Sequence, residues 1–293
     1  MSVKRVLVAT DGSGEATEAI EWLAAFPLPS DADVEVVSVA ELPLSADDVA
    51  ALSRSDLRAD SEHIAEAARG RLAKRWPDVT ARVLDGDPRQ AIVRAATNSQ
   101  ADLIVLGARG LGAIASFLLG SVSLNVARNA PCAVLVCRGA ARQIGSVTVA
   151  IDGSSDANAA FDCFCALPLP PELRVHLVGV VAPVRRPSSA PAFLAPALRA
   201  AARQLETEGR GRLETALASA ATALRSRLQS VVTATPTGAP AAMILREAES
   251  DGSDLIVVGA RGIGVLERVA LGSVSETMLR RAPCPVLVGR PRA

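Results

Sequence analysis

Tyrosine is missing from this 293-residue chain, and all aromatics together make up 2% of it. Proteins that hold single-stranded nucleic acid stack bases on aromatic side chains, so that class is disfavoured. An excess of either charge is missing too. Lys+Arg number 31 and Asp+Glu number 31, whereas a nucleic-acid binder presents a basic face. Lysine is reduced to Lys4 and Lys74, so basic charge is nearly all arginine. The five cysteines include no C-x-x-C pair, which indicates neither a disulfide framework nor a zinc site. His63 and His176 lie far apart, in a helical and a strand-like stretch. Hydrophobic residues reach 49%, yet no apolar run approaches the roughly 18 residues that cross a bilayer. The apolar N-terminal stretch ends at Asp11, too soon for a signal peptide. A soluble, cytoplasmic chain is expected, with neither nucleic acid nor membrane as partner.

What the chain does contain, it contains twice. DLIVLGARG at 102–110 returns as DLIVVGARG at 254–262, GSVS at 120–123 returns at 272–275, and APC at 130–132 returns at 282–284. These recur at an offset of 152, whereas VLVATDGS at 6–13 matches VTVAIDGS at 147–154 at an offset of 141. The second copy therefore carries about 11 extra residues, and the Pro-rich stretch 182–196 is the natural place for them. So long a repeat unit is a duplicated domain, since solenoid periods are much shorter. The small, polar stretch 138–146 reads as a linker, giving domains at 1–139 and 145–293.

Within the first copy, strand-like runs at 3–9, 33–40, 79–84, 102–107 and 132–138 alternate with helical patterns at 15–26, 44–72, 89–98 and 117–129. Continuous apolar strands alternating with helices imply a parallel sheet covered on both faces. Right-handed crossovers then leave a doubly wound, Rossmann-like α/β sandwich. Two such tandem domains are expected, each on a five-stranded parallel core. Sheets of this kind bind ligands at the carboxyl ends of their strands.

Glycines cluster at that edge. Gly107 and Gly110 follow the fourth strand, and Gly120-Ser121 opens the next helix; Gly259, Gly262 and Gly272-Ser273 repeat the arrangement. Glycine offers backbone torsions that other residues resist and lets a ligand approach the main chain. A helix N-terminus presents unpaired N–H groups and a positive dipole end, which suit a phosphate. The serine hydroxyls can cap that helix or touch the phosphate.

The spacing G-x2-G-x9-G-[ST] after the fourth strand, an Asp after the first (Asp11, Asp152), and the closing APCAVLV and APCPVLV occur in both copies. In these motifs the chain resembles the universal stress protein family, in a tandem two-domain form, over essentially its whole length. The resemblance implies the sheet order 3-2-1-4-5 and an ATP site in each half. Asp11 and Asp152 would lie near ribose and adenine, and the backbone of Val39 and Val180 would meet the adenine edge. Gly107, Gly110, Gly120 and Ser121 would cradle phosphates in the first half. Gly259, Gly262, Gly272 and Ser273 would do so in the second. Ser123 and Ser275 would add hydroxyl contacts, with Val122 and Val274 between them. The chain departs from the family where Thr10 becomes Ile151, and where Arg109 and Arg261 stand inside the glycine loops. Each arginine is a candidate phosphate clamp, or else solvated loop charge.

Enzyme signatures are wanting. No G-x4-G-K-[ST] loop occurs, neither glycine loop contains Lys, and the HxGH and SGGxDS loops of nucleotidyl-transferases and ATP pyrophosphatases are absent. Ser13 and Ser154 have no neighbouring His for a triad. A binding module for ATP, with Mg2+ supplying the charge lysine does not, is expected rather than an enzyme; slow hydrolysis is a rival, as is a nucleotide-independent scaffold. Cys132 and Cys284 are expected as buried structural thiols. The apolar fifth strands, as sheet edges, are expected to pair: between the halves as a pseudo-dimer, or between two chains as a homodimer.

Overall fold

A computed structural model describes residues 3–41, 54–110, 119–183, 195–263 and 271–291. The first half runs β1 (Arg5–Ala9), α1 (Gly14–Ala25), β2 (Asp33–Ala40), α2 (Arg54–Leu72), β3 (Thr80–Asp85), α3 (Pro88–Asn98), β4 (Leu103–Gly107), α4 (Ser121–Asn129) and β5 (Ala133–Cys137). The second runs β6 (Ser146–Ala150), α5 (Ser155–Cys165), β7 (Arg174–Val178), α6 (Ala195–Arg225), β8 (Ser230–Ala234), α7 (Pro240–Ser250), β9 (Leu255–Gly259), α8 (Ser273–Arg281) and β10 (Val286–Gly289). The start of the helical pattern at 44–72, most of the Pro-rich stretch 182–196, and the long spacers inside both glycine loops lie outside the described residues.

Each half has the doubly wound order, β3-β2-β1-β4-β5 and β8-β7-β6-β9-β10. Their fifth strands pair antiparallel, Val134 with Val288, Leu135 with Leu287 and Val136 with Val286, making one ten-stranded sheet. These strands are thus central, and every residue of both is buried. Pairing them satisfies two rows of backbone groups that would otherwise be exposed edges.

Alternation along the strands sorts side chains onto two faces. Val6 and Val8 join one core with Leu23 of α1, Leu72 of α2, Phe164 of α5 and Leu224 of α6. Leu7 and Ala9 join the other with Ile92 of α3, Val126 of α4, Ile244 of α7 and Met278 of α8. Both cores run through both halves, so the duplicated units share their interior. Trp22 and Trp76 are each 2% exposed. Their indole N–H groups donate to Gly139 O at 2.7 Å and Pro29 O at 3.0 Å, satisfying the polar edge of a buried ring.

Two arginines beyond the fifth strands cross the seam reciprocally. Arg138 donates to Ala282 O at 2.8 Å and to Leu279 O, at the end of α8. Arg290 donates to Ala130 O at 2.8 Å, to Arg128 O at 3.2 Å and to Ala127 O, at the end of α4. The last carbonyls of a helix have no partner within it and carry its negative dipole end. A guanidinium with five donors suits that place. Burial pushes both arginine pKa values down from the ordinary guanidinium range. Arg128 and Glu276 add a 2.8 Å ion pair between the same two helices. Arg290→Ala is expected to lower stability by about 2–3 kcal/mol, the scale for losing hydrogen bonds to a buried cation. Urea unfolding measures this, and a loss under about 0.5 kcal/mol would remove the clamp from the account.

Candidate functional site

The site begins at the turn after the first strand of each half. Gly12 and Gly153 have φ of 77° and 82°, a left-handed conformation natural to glycine. This turn folds the preceding carboxylate back over the next helix. Asp11 Oδ1 accepts from Ser13 N at 3.0 Å and from Ser13 Oγ at 2.6 Å. Asp152 Oδ1 accepts from Ser154 N at 2.9 Å, and its Oδ2 accepts from Ile263 N at 3.2 Å. Ser13 and Ser154 are the N-caps of α1 and α5, accepting from Ala16 N and Ala157 N. Thr10 is buried, and its hydroxyl accepts from Gly12 N at 3.3 Å. It therefore shapes the turn, and Ile151 replaces it in the buried position without that bond.

The fourth strand and the following helix meet through a repeated hydrogen-bond pattern. Gly120 N donates to Ala108 O at 2.8 Å, and Gly272 N donates to Ala260 O at 2.7 Å. The hydroxyls of buried Ser123 and Ser275 donate to Gly107 O and Gly259 O at 2.7 and 2.5 Å. These serines thus fasten the helix to the strand end. Gly120 and Gly272 are themselves the N-caps of α4 and α8, with no side-chain cap. Ser121 and Ser273 stand at the first helical position, solvent-exposed. Of the two roles open to these serines, capping the helix or touching a phosphate, the cap falls to glycine, which leaves the first-turn amides to whatever enters.

The loop glycines also differ from expectation in their physical reason. None of Gly107, Gly110, Gly120, Gly259, Gly262 and Gly272 has a positive φ. What requires glycine is close approach. A Cβ on Gly107 would lie 2.8 Å from Glu15 O, and one on Gly259 would lie 2.5 Å from Ala157 N, so α1 and α5 press directly on the strand ends. A Cβ on Gly262 would lie 2.7 Å from Asp152 Oδ2, and one on Gly110 would collide with Asp11 Oδ2. The carboxylate and the glycine loop of each half therefore touch, as one site.

Arg109 and Arg261 are each ion-paired with an acid in the first turn of the helix that follows the first strand of their half. Arg109 pairs with Glu15 at 3.0 Å. Arg261 pairs through Nε with Asp156 at 3.1 Å, and its backbone N also donates to Asp156 Oδ2 at 3.1 Å. Asp156 is 2% exposed. Burying a carboxylate is tolerated when it is paired and hydrogen-bonded, and the first turn of a helix favours its charge. Sequence reading passed over these acids. Their signal was Glu15 and Asp156 at equivalent positions of the repeat, each four residues after the turn aspartate.

In the second half these pieces surround a cavity of about 420 Å³. Every second-half candidate lines it: Asp152, Val180, Gly259, Arg261, Gly262, Gly272, Ser273, Val274 and Ser275. Apolar walls come from Val178, Val258 and Ile244. A mostly apolar cleft with a few convergent polar groups is the usual form of a small-molecule site. One wall was missed from sequence, namely Leu205, Glu206, Gly209, Arg212 and Leu213 of α6. Their three-and-four spacing is one helical face. In the first half, Asp11 follows β1, Val39 lies in β2 beside β3, Gly107 ends β4 and Ser121 opens α4. The parallel sheet brings all of them to one edge.

Cysteine has no part in either site. Burial pushes the Cys132 and Cys284 thiols up to about 12 and those of Cys163 and Cys165 to about 11. Thiols held protonated in this way are inert. Among the described residues, no helix is long and apolar enough to cross a membrane.

The model of the universal stress protein family matches residues 2–138 and 144–290. A universal stress protein of Thermus aquaticus is 52% identical over 62 residues, 21% of this chain and 45% of that relative, so the chain spans less than half of its length. One from Methanocaldococcus jannaschii is 30% identical over 140 residues, 46% of this chain and 82% of that one. Among solved structures, a universal stress protein from Archaeoglobus fulgidus is similar in fold, with a TM-score of 0.67 at 22% identity over 99% of this chain and 97% of that chain. A functionally unknown protein from Pseudomonas aeruginosa PAO1 has a TM-score of 0.62 at 15% identity, over 99% and 93%. The chain belongs to the universal stress protein family and carries the family unit twice.

Proposed function

We propose that this protein binds ATP at the sheet edge of each half and acts as a nucleotide-dependent regulator in a stress response, not as an enzyme. The observation that carries the reading is the second-half cavity, where apolar walls, the Asp152 carboxylate and the side-chain-free cap of α8 converge. The purine would sit against the apolar wall at Val180, and Asp152 would face the ribose. The glycine loop and the first-turn amides of α8 would take the phosphates. The lining fits such a ligand, since first-turn amides are donors suited to an anion. Mg2+ would arrive with the nucleotide and offset polyphosphate charge that no lysine meets.

A binding role is supported by how the acids are engaged. Asp152 accepts from two backbone amides, and Asp156 holds Arg261. Rapid hydrolysis needs a group aimed at the attacking water and a cation on the transferred phosphate, and these acids and this arginine already serve the fold. A ligand shifts conformations only through differential affinity, so the signal would arise where the glycine loops alter on occupancy. The protein is further read as cytoplasmic and homodimeric. Because β5 and β10 pair within the chain, two chains would meet through other surfaces.

Mass identification of ligand released by heating freshly purified protein, with titration by ATP, ADP and AMP, tests the reading. An adenine nucleotide bound at up to two equivalents per chain is expected. No binding at millimolar ATP with Mg2+ would favour the scaffold alternative. Continuous phosphate release beyond one turnover per site, lost in Asp11→Ala plus Asp152→Ala, would favour the ATPase.

A further inference from the structure

The two halves differ in the helix that walls the site. The offset of 152 holds through this helix, since Ser61, Ala65, Ala68 and Leu72 are buried on α2 as Leu213, Leu217, Ala220 and Leu224 are on α6. Arg75 and Arg227, just beyond, do the same job, donating to the carbonyls of Phe26 and Leu167. At the site itself this register sets Leu57, Asp60 and Ile64 of the first half against Gly209, Arg212 and Ala216 of the second. The difference in bulk is visible in the space around the first turn. A Cβ on Gly12 would meet Ile64 at 3.1 Å, whereas one on Gly153 would meet nothing within 4 Å. Gly209 likewise has nothing within 4 Å of an added Cβ, and it lines the cavity. Charge does not separate the two walls, since Glu206 and Arg212 both line the second site where the same register places Arg54 and Asp60 in the first half.

We infer that the second half holds the high-affinity nucleotide site, opened by Gly209 and Ala216, while the first half binds the same ligand more weakly. The inference rests on the nucleotide-binding reading and adds a rank order to it. Leucine at Gly209 would extend into the space a ligand occupies.

The test is titration of the full chain with ATP and Mg2+. One tight site and one at least roughly tenfold weaker are expected. Gly262→Val should remove the tight site and Gly110→Val the weak one. Gly209→Leu should weaken the tight site at least roughly tenfold. It should leave the unliganded Tm equal or higher, because leucine is the better helix former. Two sites of equal affinity, or tight binding untouched by Gly209→Leu, would overturn the inference and leave the nucleotide reading standing. A wild-type chain that binds no ATP would overturn both.

Discussion

Gly262→Val is expected to empty the second site while the first stays occupied, with a loss of at least ~100-fold in affinity, about 2.7 kcal/mol. The reason is steric. A Cβ at this position would lie 2.7 Å from Asp152 Oδ2, the atom that accepts from Ile263 N. Either the carboxylate swings away or the loop does, and each breaks the joint between the turn after β6 and the loop after β9. Valine adds two further methyls to the collision. Gly262 is only half-buried, so the fold should survive and the unliganded Tm should change little. Gly110→Val is the mirror experiment at Asp11. Native mass spectrometry reads the outcome directly: one nucleotide fewer per chain for each variant and none for the pair. A Gly262→Val chain that keeps wild-type stoichiometry and affinity would break the link between this glycine and the site.

Gly289→Ala carries the largest expected effect on stability. Glycine ends β10 where α5 crosses it, and an added Cβ would lie 2.5 Å from Ala160 Cβ and 2.6 Å from Ala160 N. Ala160 is fully buried, and its backbone belongs to a helix packed on the sheet, so no flexible side chain can yield. Forcing a methyl group into such a contact costs about 3 kcal/mol through overpacking. At about 2–4 °C per kcal/mol for a chain of this size, Tm should fall by roughly 6–12 °C. The equivalent position in the first half is Cys137, buried and carrying a full side chain. The repeat is therefore not symmetrical at this contact, and the halves differ in how closely helix and sheet approach. A loss under about 1 kcal/mol would mean that α5 shifts more easily than its burial suggests.

Much of the fold was legible because it is written in local periodicity. Val6 to Ala9 alternate between two cores, and so make a strand buried on both faces. Ser13 and Ser154 sit where a helix must be capped. The residues of the candidate site were legible for a similar reason, since a parallel sheet delivers the ends of β1, β2 and β4 to one edge whatever the helices do. What each residue does there was not legible. Ser123 and Ser275, expected as ligand hydroxyls, donate to Gly107 O and Gly259 O. Arg109 and Arg261, candidate clamps in sequence, pair with Glu15 and Asp156. The serines' partners lie 16 residues back along the chain and the arginines' about a hundred, separations over which no local pattern specifies a contact.

The amino-acid sequence by itself determined the duplication, the strand and helix order of each unit, and the acid and glycines at its sheet edge. All of these follow from spacing along the chain. The tertiary structure alone decided that the two sheets merge through β5 and β10, that Arg138 and Arg290 each close a helix of the opposite half, and that one face of α6 lines the second-half cavity. The physical reason is that these features are contacts between surfaces formed only after the elements fold. Their energy lies in complementarity of shape and hydrogen bonding between distant segments, which repeats and periodicity do not encode.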